Sequence, residues 1–205
     1  MRSVADPNLR PRQERKTSAL AGRRVLDVSY WDLRGHDGPR SWDFGDWHWA
    51  VMGVELTTDQ GPVTVTWTDT FHEYGVEVFP EPISRRLNRD ENGIEGWSVR
   101  DHPLWLARSG CPIRAASTFW ETIHIGPGRD GDGVIVSEPE TFDVPIALRL
   151  DFDAGPVWMV AAAPTWPDLD KVFVPSDEIM VIFSAERMRR IGFPETGFIG
   201  GVPTG

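Results

Sequence analysis

Five histidines, and a set of carboxylates spaced between tryptophans, are the residues of this chain best equipped for chemistry. The histidines are His36, His48, His72, His102 and His124. None falls in an H-E-x-x-H or His-x-His spacing, so local sequence alone gives no metal signature. Two of them become neighbours if their segments pair as a hairpin. Trp47 to Thr57 is apolar on both sides, Thr58-Asp59-Gln60-Gly61-Pro62 is a turn, and Val63 to Thr70 alternates valine and tryptophan with threonine. Closing the turn on Thr57 and Val63 sets Gly53 opposite Trp67, Trp49 opposite Phe71 and His48 opposite His72. His124 or Glu77 would then complete a three-ligand site with an open position. Such a metal activates water, the chemistry of a metal-assisted hydrolase or lyase.

The carboxylates suggest different chemistry. Asp32, Asp37, Asp43 and Asp46 interleave with Trp31, Trp42 and Trp47. Aromatic rings stack on sugar faces, and paired acids bind hydroxyls or transfer protons. A carbohydrate or small-ligand site over Trp31 to Trp49 is therefore one expectation. The same side chains also suit a protein interface or an aromatic core, because tryptophan buries a large apolar area while its N–H needs a partner. Trp31, Trp42, Trp47, Trp49 and Trp67 make up half of the ten tryptophans.

Other motifs are absent or incomplete. Gly128-Arg129-Asp130-Gly131-Asp132-Gly133 has part of a calcium-loop pattern. It lacks the third acid in step, and Pro139 stands where the bidentate glutamate belongs. No Gly-Lys-Ser/Thr phosphate loop, G-x-S-x-G elbow or Rossmann glycine pattern occurs. Cys111 lies near His102 in sequence but carries no sign of activation, and reads as a buried structural thiol. No motif names a cofactor.

The elements that must position these groups read as mostly β, an antiparallel sheet or β-sandwich with one or two short helices. Strands are expected at Arg24 to Leu33, Trp47 to Thr57, Val63 to Thr70, Gly75 to Phe79, Thr118 to Ile125, Val157 to Ala163 and Glu178 to Phe183. The clearest pattern is Thr141 to Phe152, with Phe142, Val144, Ile146, Leu148, Leu150 and Phe152 on one face. Pro145 inside it demands an edge position or a bulge. Ser184 is a cap for a helix over Ala185 to Ile191, with Gly192 just beyond. Residues 88–112 read as irregular. No Ser/Gly/Pro-rich linker divides the middle, so one domain is expected over 23–194. A flexible basic tail (1–22) precedes it and a loose Gly-rich tail (195–205) follows.

Charge narrows the choice of partner. Residues 1–24 carry seven cations against two anions, a net of +5, so the remainder of this −10 chain carries −15. A body this acidic repels phosphate, which leaves nucleic acid to the 1–24 tail at most. No run approaches the roughly 20 apolar residues of a membrane span, and no apolar leader is present. A single cysteine excludes an internal disulfide and fits a cytoplasmic location. The expectation that ranks first is a non-catalytic, protein-binding module. Trp31, Asp32, Trp42, Asp43, Asp46, Trp47, Trp49 and Trp67 would meet a basic protein partner, as bacterial immunity proteins meet their effectors. That comparison is an analogy of charge and size. The hydrolase or lyase, with His48, His72, Glu77 and His124 as ligands, ranks second.

Overall fold

The computed structural model describes residues 8–33, 41–71, 74–87 and 93–193. The chain enters as helix α1 (Leu9–Ser18) and strand β1 (Val25–Leu33), followed by β2 (Trp47–Trp49), β3 (Gly53–Thr58), β4 (Gly61–Thr68) and β5 (Gly75–Phe79). A single 3₁₀ turn (Ile83–Arg85) precedes β6 (Ile94–Ser98) and the short helix α2 (Pro103–Leu106). Next come β7 (Ala115–Ile125), β8 (Gly128–Arg129), β9 (Ile135–Ser137), β10 (Glu140–Asp151) and β11 (Val157–Ala161). The chain then forms β12 (Ala163–Thr165), β13 (Asp168–Phe173), β14 (Ile179–Ile182) and helix α3 (Ala185–Arg190). Among the described residues the architecture is mostly β and antiparallel, with three short helices and no closed barrel.

Two five-stranded sheets carry the fold, in the orders β5-β4-β3-β1-β6 and β2-β14-β11-β10-β7. They face each other across one core. Val28 and Tyr30 of β1, Val54 and Leu56 of β3, and Val63 and Val65 of β4 meet Leu148, Leu150, Met159 and Val181 of the second sheet. The second sheet is also buried on its other face. There Trp47, Ile146, Trp158, Val160, Met180 and Ile182 pack under Met188 and Ile191 from the α3 region. Every residue of β11 and β14 is buried, which is why both read as unbroken apolar runs. Ser184 caps α3 by accepting the Arg187 N–H at 3.2 Å.

β10 differs from its expected single-faced pattern. It lies inside the sheet, between β11 and β7, and its ladder to β7 slips between Pro145 and Ala147. This bulge accommodates a proline that cannot donate to the ladder. Across it the apolar side chains change faces. Val144 and Ile146 join the outer core, whereas Leu148, Leu150 and Phe152 point between the sheets.

The expected long strand from Trp47 to Thr57 is two strands in two sheets. Residues 50–52 turn the chain, so β2 pairs with β14 while β3 pairs with β4. The β3–β4 register is also one residue off the expected one: Leu56 faces Val63 and Thr58 faces Gly61. Gly53 therefore does not face Trp67. The tryptophan-over-glycine pairing occurs one strand away, where Trp31 faces Gly96 of β6. A Cβ on Gly96 would come within 2.6 Å of the Trp31 indole. Residues 88–112 were expected to be irregular, yet they hold β6 and α2.

The basic leader is not a free tail over its described length. Helix α1 packs against β5 and β7, the edge strands of the two sheets on one side of the sandwich. Gln13 Nε2 donates to the Val76 carbonyl of β5 at 3.3 Å, and the Thr17 and Thr118 hydroxyls are 2.9 Å apart. Leu20 then enters the inter-sheet core, and the chain is laced to residue 113 by two backbone bonds: Gly22 N–H to the Ile113 carbonyl and Ile113 N–H to the Arg23 carbonyl. Two open edges need cover, and a polar helix whose few buried side chains bond to both supplies it. Composition alone hid this, because α1 lacks an apolar stripe. Leu20→Ala is expected to cost about 3 kcal/mol in urea unfolding, the loss for a buried leucine. A leader that did not dock would show no change.

Candidate functional site

His48 lies on β2, where strand alternation sends Trp47 and Trp49 to the outer core and His48 inward between the sheets. There it meets Tyr30, which β1 points into the same space. The His48 ring has no exposed surface, and its Nδ1 is 2.7 Å from the Tyr30 hydroxyl. Trp105 Nε1–H donates to that hydroxyl oxygen at 2.6 Å. Indole is only a donor, so the Tyr30 O–H is left to donate to His48 Nδ1. The His48 proton is thereby assigned to Nε2.

On its outward side His48 faces Asp43 and His102. Asp43 Oδ1 is 3.7 Å from His48 Nε2, and Asp43 Oδ2 is 3.2 Å from His102 Nε2. Asp43 and His48 are brought back to back by a turn that runs through Gly45 at φ +87°, with a bridge between the two residues. Asp43 also accepts the Gly45 N–H at 2.9 Å. His102 caps α2 ahead of Pro103, accepting the Leu104 N–H at Nδ1 over 3.4 Å. The result is one chain of polar contacts from Trp105 through Tyr30, His48 and Asp43 to His102. Trp42 packs edge-on against both imidazoles, and Phe183 packs against His48.

Burial governs the electrostatics of this chain. It pushes the Tyr30 hydroxyl well above 10, with Asp43 adding to the effect and the Trp105 bond opposing it. It takes His48 down from 6.5 to about 4; His102 lowers it further, and the pull of Asp43 does not compensate. Partial burial raises Asp43, but the Gly45 N–H and the two imidazoles outweigh it, so its carboxyl stays below the usual range. Neutral tyrosine, neutral histidine and ionised aspartate form the consistent set.

The other expected site residues lie apart. Glu77 is on β5, where it accepts from Lys16 Nζ at 2.6 Å and from the Thr68 and Thr70 hydroxyls. With Trp67 it lines a cleft of about 670 Å³ beside α1. His124 is exposed on β7 with its Nδ1 3.1 Å from the Thr141 hydroxyl. His36, Asp37 and His72 lie outside the described residues. The hairpin meant to bring His72 to His48 is not the one formed, because β2 leaves β3 for the other sheet. Trp47 is buried and stacked on Phe44 at 4.2 Å. Trp49 donates to Glu178 at 2.9 Å, and Trp67 donates to the Val51 carbonyl at 3.3 Å. Trp31 and Trp42 are half-buried, Asp32 is almost wholly buried, and Asp46 is 3.7 Å from Arg190. Tyr30, Trp105 and His102 were not foreseen as partners of His48. The Asp-x-Gly turn joining Asp43 to His48 was the one legible signal.

Exposed apolar surface collects elsewhere. β10 pairs with β11 only over Ala147–Leu150, so its first residues and the end of β7 form a two-stranded ribbon. The small β8–β9 hairpin continues it. Val134, Ile135 and Val136 are 60%, 51% and 64% exposed there, beside exposed Ile125. The same stretch of chain, residues 121–143, carries Glu121, Asp130, Asp132, Glu138, Glu140 and Asp143 against Arg129, and Arg10 of α1 pairs with Asp143.

Two outcomes are expected of the buried relay. Tyr30→Phe strands the Trp105 N–H and His48 Nδ1 and should cost about 2 kcal/mol in urea unfolding. Separately, a histidine of the unfolded chain takes a proton near pH 6.5, while His48 in the folded protein resists until about pH 4. The unfolded state therefore binds more protons in that window. Stability is full above pH 6.5 and falls towards pH 4 by up to about 3 kcal/mol. Imidazole NMR should show a neutral Nε2–H ring at pH 5.5; a charged ring there would refute the assignment.

Comparison with protein families, characterised proteins and solved structures finds no match.

Proposed function

We propose that this chain is a non-catalytic protein-binding module that engages a basic protein partner through the acidic ribbon of residues 121–143. The observation that carries this reading is the apolar tip Val134–Val136, exposed at the end of a ribbon with six acids and one base. An apolar centre inside a charged rim is the make-up of a specific protein interface. The acids would speed encounter with a cationic surface and repel an anionic one. Arg10 steadies the base of the ribbon, reaching Asp143 at 3.1 Å while lying over the Trp120 ring. The tryptophans support packing more than partner or sugar contact, since Trp47 is buried and Trp49 and Trp67 spend their indole N–H groups inside the chain. Neutralising a basic effector, as immunity proteins do, is the biological role this chemistry would suit. No described helix is long and apolar enough to cross a membrane.

A photo-crosslinking residue placed at position 136, with position 60 on the β3–β4 turn as control, tests the reading in cells of the source organism. The expected result is one adduct, to a strongly basic polypeptide, from position 136 alone. Asp130→Lys with Asp132→Lys should abolish it. The rate of association with that polypeptide should fall about tenfold or more between low and high salt. Adducts indifferent to charge reversal, or equal at both positions, would overturn the proposal.

A further inference from the structure

We infer that Asp43, His48 and His102 form a binding site for a divalent transition-metal ion of the zinc class. Their donor atoms come from one turn, one strand and one helix cap, and all lie within 4.8 Å of one another. Ligands placed 2.0–2.1 Å from a tetrahedral zinc stand about 3.3 Å apart. One Asp43 oxygen faces each ring, Oδ2 at 3.2 Å from His102 Nε2 and Oδ1 at 3.7 Å from His48 Nε2, so the carboxylate already stands between the two imidazoles at about that spacing.

The second observation is His48 Nε2 itself. It belongs to a fully buried ring, faces the cluster, and has no hydrogen-bond partner, since Asp43 stays 3.7 Å away. A polar atom so placed carries a desolvation cost that a cation between the three side chains removes. Two imidazoles and one carboxylate favour zinc, cobalt, nickel or copper over calcium and magnesium, which take oxygen ligands.

The surroundings complete the argument. A metal-bound histidine needs its second nitrogen held by another group, and His48 Nδ1 already sits 2.7 Å from Tyr30, itself fixed by Trp105. Binding through Nε2 moves the ring proton to Nδ1, which then donates to the Tyr30 oxygen as the hydroxyl hydrogen turns away. His102 makes the same change of tautomer and gives up its 3.4 Å contact with the Leu104 N–H, the longest hydrogen bond of the relay. Each ring stays neutral, so no proton is taken up or released. Asp43 is 44% exposed, which leaves the fourth position to water.

The test uses tag-free protein stripped with chelator and titrated with cobalt(II), followed by visible absorption and by zinc competition. One equivalent should bind with the intense bands of tetrahedral cobalt, and zinc should displace it. Asp43→Asn keeps an oxygen for the Gly45 N–H and hence the turn; it and His102→Gln should each weaken binding about a hundredfold. Tyr30→Phe, one step removed, should weaken it about tenfold. His124→Gln should leave it unchanged. Circular dichroism establishes that each variant is folded. Sub-stoichiometric binding by the native protein, or native affinity in folded Asp43→Asn and His102→Gln, would overturn the inference.

Discussion

The second sheet is apolar on both faces, and that constraint organises the rest of the molecule. A sheet buried on one face alone alternates polar and apolar residues; β11 and β14 do not, and must be covered twice. The first sheet covers one side. The other side is covered by α3 together with partly buried Leu169, Val172 and Val174 from the β12–β13 region. Each strand added to such a sheet then has to place something on both faces. The short β2 places Trp47 and Trp49 outward and His48 inward. A histidine in the inter-sheet space needs polar company, and Tyr30 of the facing sheet supplies it. The relay is therefore a consequence of how β2 joins the sheet.

The fold class was legible because the period-2 signal is strong in β1, β4, β7 and β10. The limits of that legibility are specific. A continuous apolar run from Trp47 to Thr57 carries no mark of the break at residues 50–52, since both pieces are buried strands and only the partners differ. The registers then failed together, because one slipped residue in β3–β4 shifts every cross-strand pair. Pro145 did announce its bulge, but nothing local said that the bulge would turn Leu148 and Leu150 towards the opposite face. Helix α1 was hidden for the opposite reason. It docks through Gln13 and Thr17, so a search for apolar periodicity passes over it.

The candidate site divides along the same line. Asp43 and His48 are five positions apart across a glycine turn, a local relation that sequence can express. His102 reaches them from a helix cap more than fifty residues away, and Tyr30 from the facing sheet. Those relations exist only once the two sheets are stacked. The tryptophans, the most conspicuous feature of the sequence, mainly fill space around these groups. Trp42 and Trp97 pack on the inter-sheet core, while Trp47 and Trp49 pack on the outer one.

This leaves polar and apolar groups exchanged from their usual places at two points, and the two carry different weight. The buried relay is satisfied from the Trp105 indole to His48 Nδ1 and again between Asp43 and His102, with His48 Nε2 left open between the two parts, and its satisfied bonds fix the packing of the elements that meet there. The exposed tip of the ribbon has no such compensation. Three consecutive β-branched residues stand in solvent beyond the point where β10 loses its β11 neighbour, so they add nothing to either core. Shortening the ribbon would remove that exposed surface without disturbing the ladder at Ala147–Leu150. Apolar residues kept outside a core that does not need them, among acids that outnumber the arginines beside them, are the feature on which the proposed partner rests.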